Sequence, residues 1–395
     1  MTRTRSALIS ALAAAVSVGA AFLLTLAFDW MAGMYLYSSH RNAGLIFGPY
    51  SEVHHTTREF SYVARINNLG FRDRDFSAGR SSKKRAIALG DSFTYGWGVD
   101  IADSWPKALE RDLNAAGVPI EVLNLGSPGA SPRQYADLAE KAVPLLRPDI
   151  VIVGVVQADD LHQLREKAPP VRMGWRARMR RTLAERYPYL TQWIGGTDVK
   201  KLNVSGEELA AIWKKQVQDF TARMEPAERK KFEGLEPAIR TAYQEGGLNP
   251  GLLFYSIRHS SFMLDACDIE APAIRAEIDE MTAELRRIVG VAGRWGAAAV
   301  VVSIPYGPYA SEDELKTVGR LGFAVRPDML TSEAPEQSIE RACRGAGLPF
   351  VSVMREFRRR ARSGNLYFPL DGHLNAAGHR TYAELAAPAL RARIR

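Results

Sequence analysis

Five short apolar runs, set apart by helical patterns, constrain the fold of this chain more than any other feature. They lie at Arg85–Leu89, Ile120–Leu125, Asp149–Val156, Ala297–Ile304 and Pro349–Val353. They are short and rich in β-branched residues, with no polar alternation, as strands buried on both faces of a parallel sheet are. Parallel neighbours need long crossovers, and helical patterns at Ser104–Ala116, Pro132–Leu146, Ala271–Trp295 and Glu333–Ala346 supply them, with a last helix over about Ala376–Arg393. The alternation predicts an α/β fold, a doubly wound three-layer sandwich around a five-stranded parallel sheet.

Open α/β sheets gather their ligands at the carboxyl ends of the strands. The first run ends in Gly90-Asp91-Ser92, which places a serine hydroxyl at such an end. About 280 residues later stands Asp371-Gly372-His373-Leu374-Asn375. A serine early, with an aspartate and a histidine late, is one chain order for a nucleophile–base–acid triad. Serine acyl transfer needs a nucleophile, a base for its proton, a group orienting that base, and donors for the oxyanion. Ser92, His373 and Asp371 are the candidates for the first three. The plainer reading of Ser92 is a helix N-cap, and of Gly-Asp-Ser an ordinary turn. His379, early on the last helix, is expected to cap or pack there.

The two segments resemble the first and last sequence blocks of the SGNH (GDSL-type) hydrolase family. Upstream, Asn67-Asn68-Leu69-Gly70-Phe71-Arg72-Asp73 is similar to a segment preceding the nucleophile in membrane-anchored members; its plainer reading is a linker packing Phe71 on the domain edge. The resemblance covers about residues 65–160 and 297–390. It implies a flavodoxin-like sheet, ester chemistry through an acyl-serine, and no metal or other cofactor. It also implies three oxyanion donors: the nucleophile's own N–H, a glycine N–H after the second strand, and an asparagine amide after the third. Gly126, in Asn124-Leu125-Gly126-Ser127-Pro128-Gly129, is expected to be the second. The third block departs from the family, reading Gly154-Val155-Val156-Gln157-Ala158-Asp159-Asp160. Asp159 aligns with the asparagine, but an ionised carboxylate cannot donate. Gln157 carries an amide two residues earlier, on the same face of a continuing strand, and is therefore the expected third donor. Asp91, Asp159, Asp160 and Asn375 are the candidate substrate contacts, with a loop-structuring role for Asp159 and Asp160 as the alternative.

The amino terminus bears on compartment. Arg3 and Arg5 precede an apolar stretch from about Ala7 to Phe28, long enough to span a bilayer, with no small-x-small cleavage site after it. Positive charge before the stretch, and Asp29, Trp30, Tyr35 and Tyr37 after it, orient the amino terminus inwards. The expected organisation is a membrane anchor at 1–30, a linker or edge segment at 31–82, and a hydrolase-like body at 83–395 with a helical insertion at about 162–265. A cleaved signal is the alternative. The body then stands on the periplasmic side of an inner membrane. Net charge is +8, and between Arg165 and Arg186 eight basic residues face two glutamates. Trp175, Met179, Leu183 and Tyr187 recur there every four residues, which suits a basic amphipathic helix lying on a membrane or closing over a site, or a core-facing helix. No nucleic-acid recognition motif accompanies the charge. The sequence leaves open whether Cys267 and Cys343 pair.

Together these features point to an anchored extracytoplasmic serine esterase or O-acyltransferase. Its expected substrate is an O-acyl, in particular acetyl, group on a cell-envelope carbohydrate, since polar Gln157, Asp159, Asp160 and His162 crowd the third strand end. A multispanning acyltransferase is the partner such a transferase would have. The alternatives are a non-catalytic glycan- or partner-binding protein with a degenerate site, and a lipolytic esterase docked on the bilayer.

Overall fold

The five apolar runs pair as one parallel sheet. In the computed structural model, which describes residues 2–38, 47–77, 82–165 and 203–394 with positions 175, 179 and 183, they become β3 (Lys84–Gly90), β4 (Ile120–Gly126), β5 (Ile150–Val156), β7 (Ala298–Ile304) and β8 (Phe350–Val351). Their order across the sheet is β4-β3-β5-β7-β8. Successive residues serve opposite faces, and both faces are covered. Ala86 and Ala88 of β3 join a core with Trp105 and Leu109 of α3 (Trp105–Ala115) and Tyr382 and Leu390 of the last helix, Ala376–Ile394. Ile87 and Leu89 join a second core under α4 (Pro132–Leu146) and the helices Pro272–Arg294 and Ala334–Ala346. This is the three-layer sandwich the pattern predicts, with element ends within two residues of expectation.

Two short helices lie at the carboxyl ends of the strands. Between β3 and α3 is the one-turn helix α2 (Ser92–Tyr95), capped by the Asp91 carboxylate, which accepts from Phe93 N at 2.9 Å. After β5 comes α5 (Asp159–Arg165). The chain then leaves the sheet for a helical insertion, described from Asn203 onwards: a short strand β6 (Asn203–Val204), α6 (Gly206–Ala222), α7 (Pro226–Glu233), α8 (Pro237–Gln244), α9 (Pro250–Arg258) and α10 (Phe262–Asp265). The basic stretch at 172–187 lies outside the described residues except for Trp175, Met179 and Leu183, which are helical with exposed side chains.

At the amino terminus, α1 runs from Thr2 to Ser38, and its Leu12–Met31 portion is long and apolar enough to cross a membrane. Cys267 and Cys343 are both free thiols.

The stretch between α1 and the sheet, which lacks clear periodicity, holds a hairpin. β1 (Glu52–Thr56) and β2 (Ser61–Arg65) pair antiparallel, and β6 of the insertion adds to β1 in parallel. Phe60 and Tyr62 of the hairpin pack with Trp97, and Trp97 stacks on Trp213 of α6. The segment after the hairpin is a brace. Asn67 Oδ1 accepts from Leu69 N and Phe71 N, Phe71 is fully buried, and Asp73 Oδ2 accepts from Asn124 N at 2.9 Å. Arg72 is buried between the rings of Tyr62 and Tyr95 and donates to the carbonyls of Gly96 and Val99, both at 2.6 Å. Those carbonyls close the turn behind α2, so the guanidinium fixes the exit of the Ser92 helix. Phe71 packs as the linker reading expects; its neighbours on either side do more than link.

Removing Arg72 leaves two buried carbonyls without their charged donor. Arg72→Ala is expected to cost about 2–4 kcal/mol of unfolding free energy by denaturant titration. Arg72→Lys recovers only part of it, because one ammonium cannot replace the forked guanidinium.

Candidate active site

Gly90 ends β3 where no side chain fits: a Cβ there would lie 2.0 Å from Thr94 Oγ1. The strand therefore turns straight into α2, and Ser92 stands at its first position, half-buried at the mouth of a cleft. His373 Nε2 lies 2.7 Å from Ser92 Oγ, and His373 Nδ1 lies 2.5 Å from Asp371 Oδ1. The Asp371–Leu374 loop is held tightly. Gly372, at φ 78°, makes the turn, Gly372 N donates to Phe368 O, and Phe368 N donates to His373 O, each at 2.8 Å. Asp371 Oδ2 accepts from Trp97 Nε1 at 3.3 Å. Burial alone would depress the His373 pKa. The bonded Asp371 carboxylate, with Asp91 and Asp159 nearby, outweighs burial and holds it above its ordinary value.

A residue from the hairpin, unforeseen in the sequence, supports this loop. The Glu59 carboxylate accepts from Leu370 N at 2.8 Å and from Asp371 N at 2.7 Å. Burial raises the Glu59 pKa against those two bonds. His379 has the packing role expected of it: its Nδ1 accepts from Trp105 N at 3.2 Å, and burial pushes its pKa down to about 3.

Two expected oxyanion donors are not where the reading of the sequence put them. Gly126 is the last residue of β4, and its N–H donates to Asn124 Oδ1 at 2.9 Å. A Cβ at Gly126 would lie 2.1 Å from Tyr95 N, so this glycine is packed beneath α2 and away from the cleft. Gly129, three residues on at φ 73°, lines the cleft beside Ser92, and its N–H has no acceptor among the described residues. Gln157 is buried. Its Nε2 lies 3.5 Å from Ser303 Oγ and its Oε1 accepts from Tyr306 N, which ties its amide to β7. The reason is local: β5 ends at Val156, and Ala158 at φ 62° breaks the two-residue alternation that would have set Gln157 and Asp159 on one face. Asp159 is the side chain that reaches the cleft.

Of the candidate substrate contacts, three serve the scaffold. Asp91 caps α2. Asp160 accepts from Tyr135 Oη and from Val156 N, both at 2.7 Å. Asn375 donates to the carbonyls of Asn365 and Tyr367 and accepts from Gly378 N. His162 is likewise buried, against Phe262. Burial raises the pKa values of Asp91 and Asp160, helped at Asp91 by the charge of Asp159 and at Asp160 by those of Asp91 and Asp159, and burial lifts that of Asp159 to about 6.

The cleft has a volume of about 580 Å³. Phe93, Trp97, Tyr306 and Phe323 form its apolar part, and α9 and α10 of the insertion wall it with Leu252, Tyr255 and Phe262. Ser131, Arg133, Gln134, Gln163 and Asn249 supply a polar side. The geometry can take up a proton from Ser92 at His373, with the Ser92 and Gly129 backbone lining the same cleft.

No protein-family model and no curated protein sequence matches the chain. Among solved structures it is similar to a lipolytic protein of the G-D-S-L family from Veillonella parvula, at 10% identity over 77% of this chain and 97% of that one, with a TM-score of 0.35. An acetylxylan esterase from Geobacillus stearothermophilus is similar at 13% identity over 80% and 96%, with a TM-score of 0.37. The esterase EstA from Pseudoalteromonas sp. is similar at 9% identity over 79% and 98%, with a TM-score of 0.37.

Proposed function

We propose that this chain is an SGNH-type serine ester hydrolase or O-acyltransferase, held at a membrane by α1 with its body on the extracytoplasmic side. The observation that carries this reading is the unbroken relay Asp371–His373–Ser92 opening onto the cleft. Ser92 Oγ attacks the ester carbonyl while His373 Nε2 takes its proton, and Asp371 steadies the imidazolium. His373 then returns the proton to the leaving alcohol, an acyl-serine remains, and water or an acceptor hydroxyl resolves it. The Ser92 and Gly129 N–H groups are the backbone donors to the oxyanion. An O-acylated carbohydrate suits the cleft: aromatic faces at Trp97, Tyr255 and Tyr306 offer stacking surfaces, and Gln134, Gln163 and Asn249 offer amides to hydroxyls. That support comes from residues other than those the sequence suggested, since of the polar residues at the end of β5 only Asp159 and Gln163 line the cleft.

A fluorophosphonate probe is expected to label the protein at Ser92, and Ser92→Ala to abolish both labelling and turnover of p-nitrophenyl acetate while leaving the melting temperature unchanged. Retained turnover in that variant overturns the reading in favour of a binding protein or a different nucleophile. Asp371→Asn is expected to lower kcat about 10⁴-fold, because the amide favours the wrong tautomer of His373.

Glu59 acts on the chemistry only through the loop it holds, which makes it a positioning residue. Glu59→Ala is expected to lower kcat about tenfold or more with KM little changed, since misplacing Asp371 and His373 affects the transition state more than binding. Glu59→Gln, which keeps an acceptor for the two N–H groups, is expected to restore most of it. Equal losses in both variants would show that the charge, not the hydrogen bonds, is what matters.

A further inference from the structure

Where the resemblance to the SGNH family implies a third oxyanion donor, an asparagine, this chain has an acid, Asp159. Asp159 follows Ala158 at φ 62°, and its N–H donates to Gln157 O at 2.7 Å, so the side chain leaves the direction of β5 and enters the cleft with Ser92, Gly129 and His373. Its Oδ2 accepts from Gln163 Nε2 at 2.8 Å, while Oδ1 has no partner among the described residues. The groups packed around it are mostly acids and phenols. Asp91 faces it from the β3–α2 turn, Asp160 from α5, Tyr306 from the turn after β7, Tyr255 from α9, and His373, with Asp371 behind it, from the loop before the last helix. Arg133 lines the same cleft but is bonded to Glu280 and to the Leu164 carbonyl.

We propose that Asp159 works as a neutral carboxylic acid whose Oδ1–H completes the oxyanion site with the Ser92 and Gly129 N–H groups. The proposal rests on the serine-esterase reading and goes beyond it. A protonated carboxyl is planar like a carboxamide and offers one donor, and a buried acid kept neutral can donate to an oxyanion. An ionised carboxylate would instead set a second negative charge beside the first. The step balances without transfer from Asp159. The Ser92 Oγ–carbon bond forms, the serine proton passes to His373 Nε2, the carbonyl π pair moves onto oxygen, and Asp159 keeps its proton while sharing it by hydrogen bond.

Burial lifts the Asp159 pKa to about 6 against the opposing charge of His373, whose own pKa lies above the ordinary histidine value. The competent form needs neutral His373 and protonated Asp159, so the two groups must titrate in the opposite order from the one they prefer. Only a minor fraction of the free enzyme is competent, and activity has a ceiling on the alkaline side that a carboxamide would not impose.

The test is kcat/KM for p-nitrophenyl acetate and the rate of fluorophosphonate labelling against pH, in wild type, Asp159→Asn, Asp159→Ala and Ser92→Ala. Wild type is expected to give a bell. Asp159→Asn is expected to lose the alkaline limb, rising to a plateau about tenfold or more above wild type at pH 8.5. Asp159→Ala is expected to fall about 10²–10³-fold below Asp159→Asn there, as losing an oxyanion donor does. Melting temperatures supply a readout independent of turnover. A folded-state pKa raised above the ordinary carboxyl value means that stability is lost as pH rises through about 6, so Asp159→Asn is expected to melt higher than wild type at pH 8 and equally at pH 4. Superimposed wild-type and Asp159→Asn profiles, or Asp159→Ala as fast as Asp159→Asn, overturn the donor role, provided that Ser92→Ala is inert. Turnover retained in Ser92→Ala overturns the esterase reading and the donor role with it.

Discussion

A hydroxyl and an imidazole 281 residues apart in the chain lie 2.7 Å from each other, and much of the molecule is arranged to keep them there. Neither side is held by its own segment alone. The helix that carries Ser92 has a single turn, too short to be stable by itself. It is fixed in front by the Asp91 cap, behind by the Arg72 guanidinium, and below by glycines 90 and 126, whose missing side chains let β3, β4 and α2 close up. The histidine's loop is fixed by Gly372, by Trp97 on Asp371, and by Glu59 on its backbone. Arg72 and Glu59 both come from the stretch between α1 and the sheet, so that stretch is part of the scaffold of the candidate site. The insertion meets it through β6 and Trp213.

How much was legible in the sequence depends on what a local pattern can encode. Strands covered on both faces must be apolar at every position, which is why β3, β5 and β7 stand out unaided. Gly90-Asp91-Ser92 and Asp371-Gly372-His373 are each contiguous, so the type and order of their residues suffice. The hairpin was not legible, because β1 reads Glu-Val-His-His-Thr and gains its burial from aromatic rings contributed by Trp97 and Trp213 far along the chain.

The two expected oxyanion donors miss for different reasons: β4 runs on through Gly126, one residue past its apolar run, whereas the Gln157 reading carried the periodicity of β5 past its end. β4 stops at Gly126 with its N–H already used, and the chain reaches the cleft only after the Ser127-Pro128 turn. A glycine directly after a proline is itself a sign of a left-handed turn position, and Gly129 has that geometry. β5 stops at Val156, and a left-handed alanine resets which side chains share a face. A non-glycine residue at positive φ costs energy, and the surroundings must hold it there. Here Asp160 does so, with one carboxyl oxygen on Val156 N and the other on the Tyr135 hydroxyl. The acid that looked like a substrate contact is the clamp that turns its neighbour into the cleft.

The same clamp sets the electrostatics of the site. Asp91 and Asp160 are needed where they are, one as a helix cap and one as a turn clamp, and both are buried next to Asp159. Burial pushes both carboxyls towards their neutral forms, with Asp159 adding to the shift at each, so the cleft disfavours a further anion, whether an ionised Asp159, a charged acyl group or the oxyanion itself. On the proposals above, the first of these is relieved by a proton, and the third is met by donors and by the imidazolium that forms as Ser92 attacks. For the second, the Arg133 guanidinium that lines the cleft is already bonded to Glu280 and the Leu164 carbonyl. On the serine-esterase proposal, such a scaffold would disfavour substrates with a negative charge near the scissile carbonyl and suit neutral acyl groups against the aromatic wall.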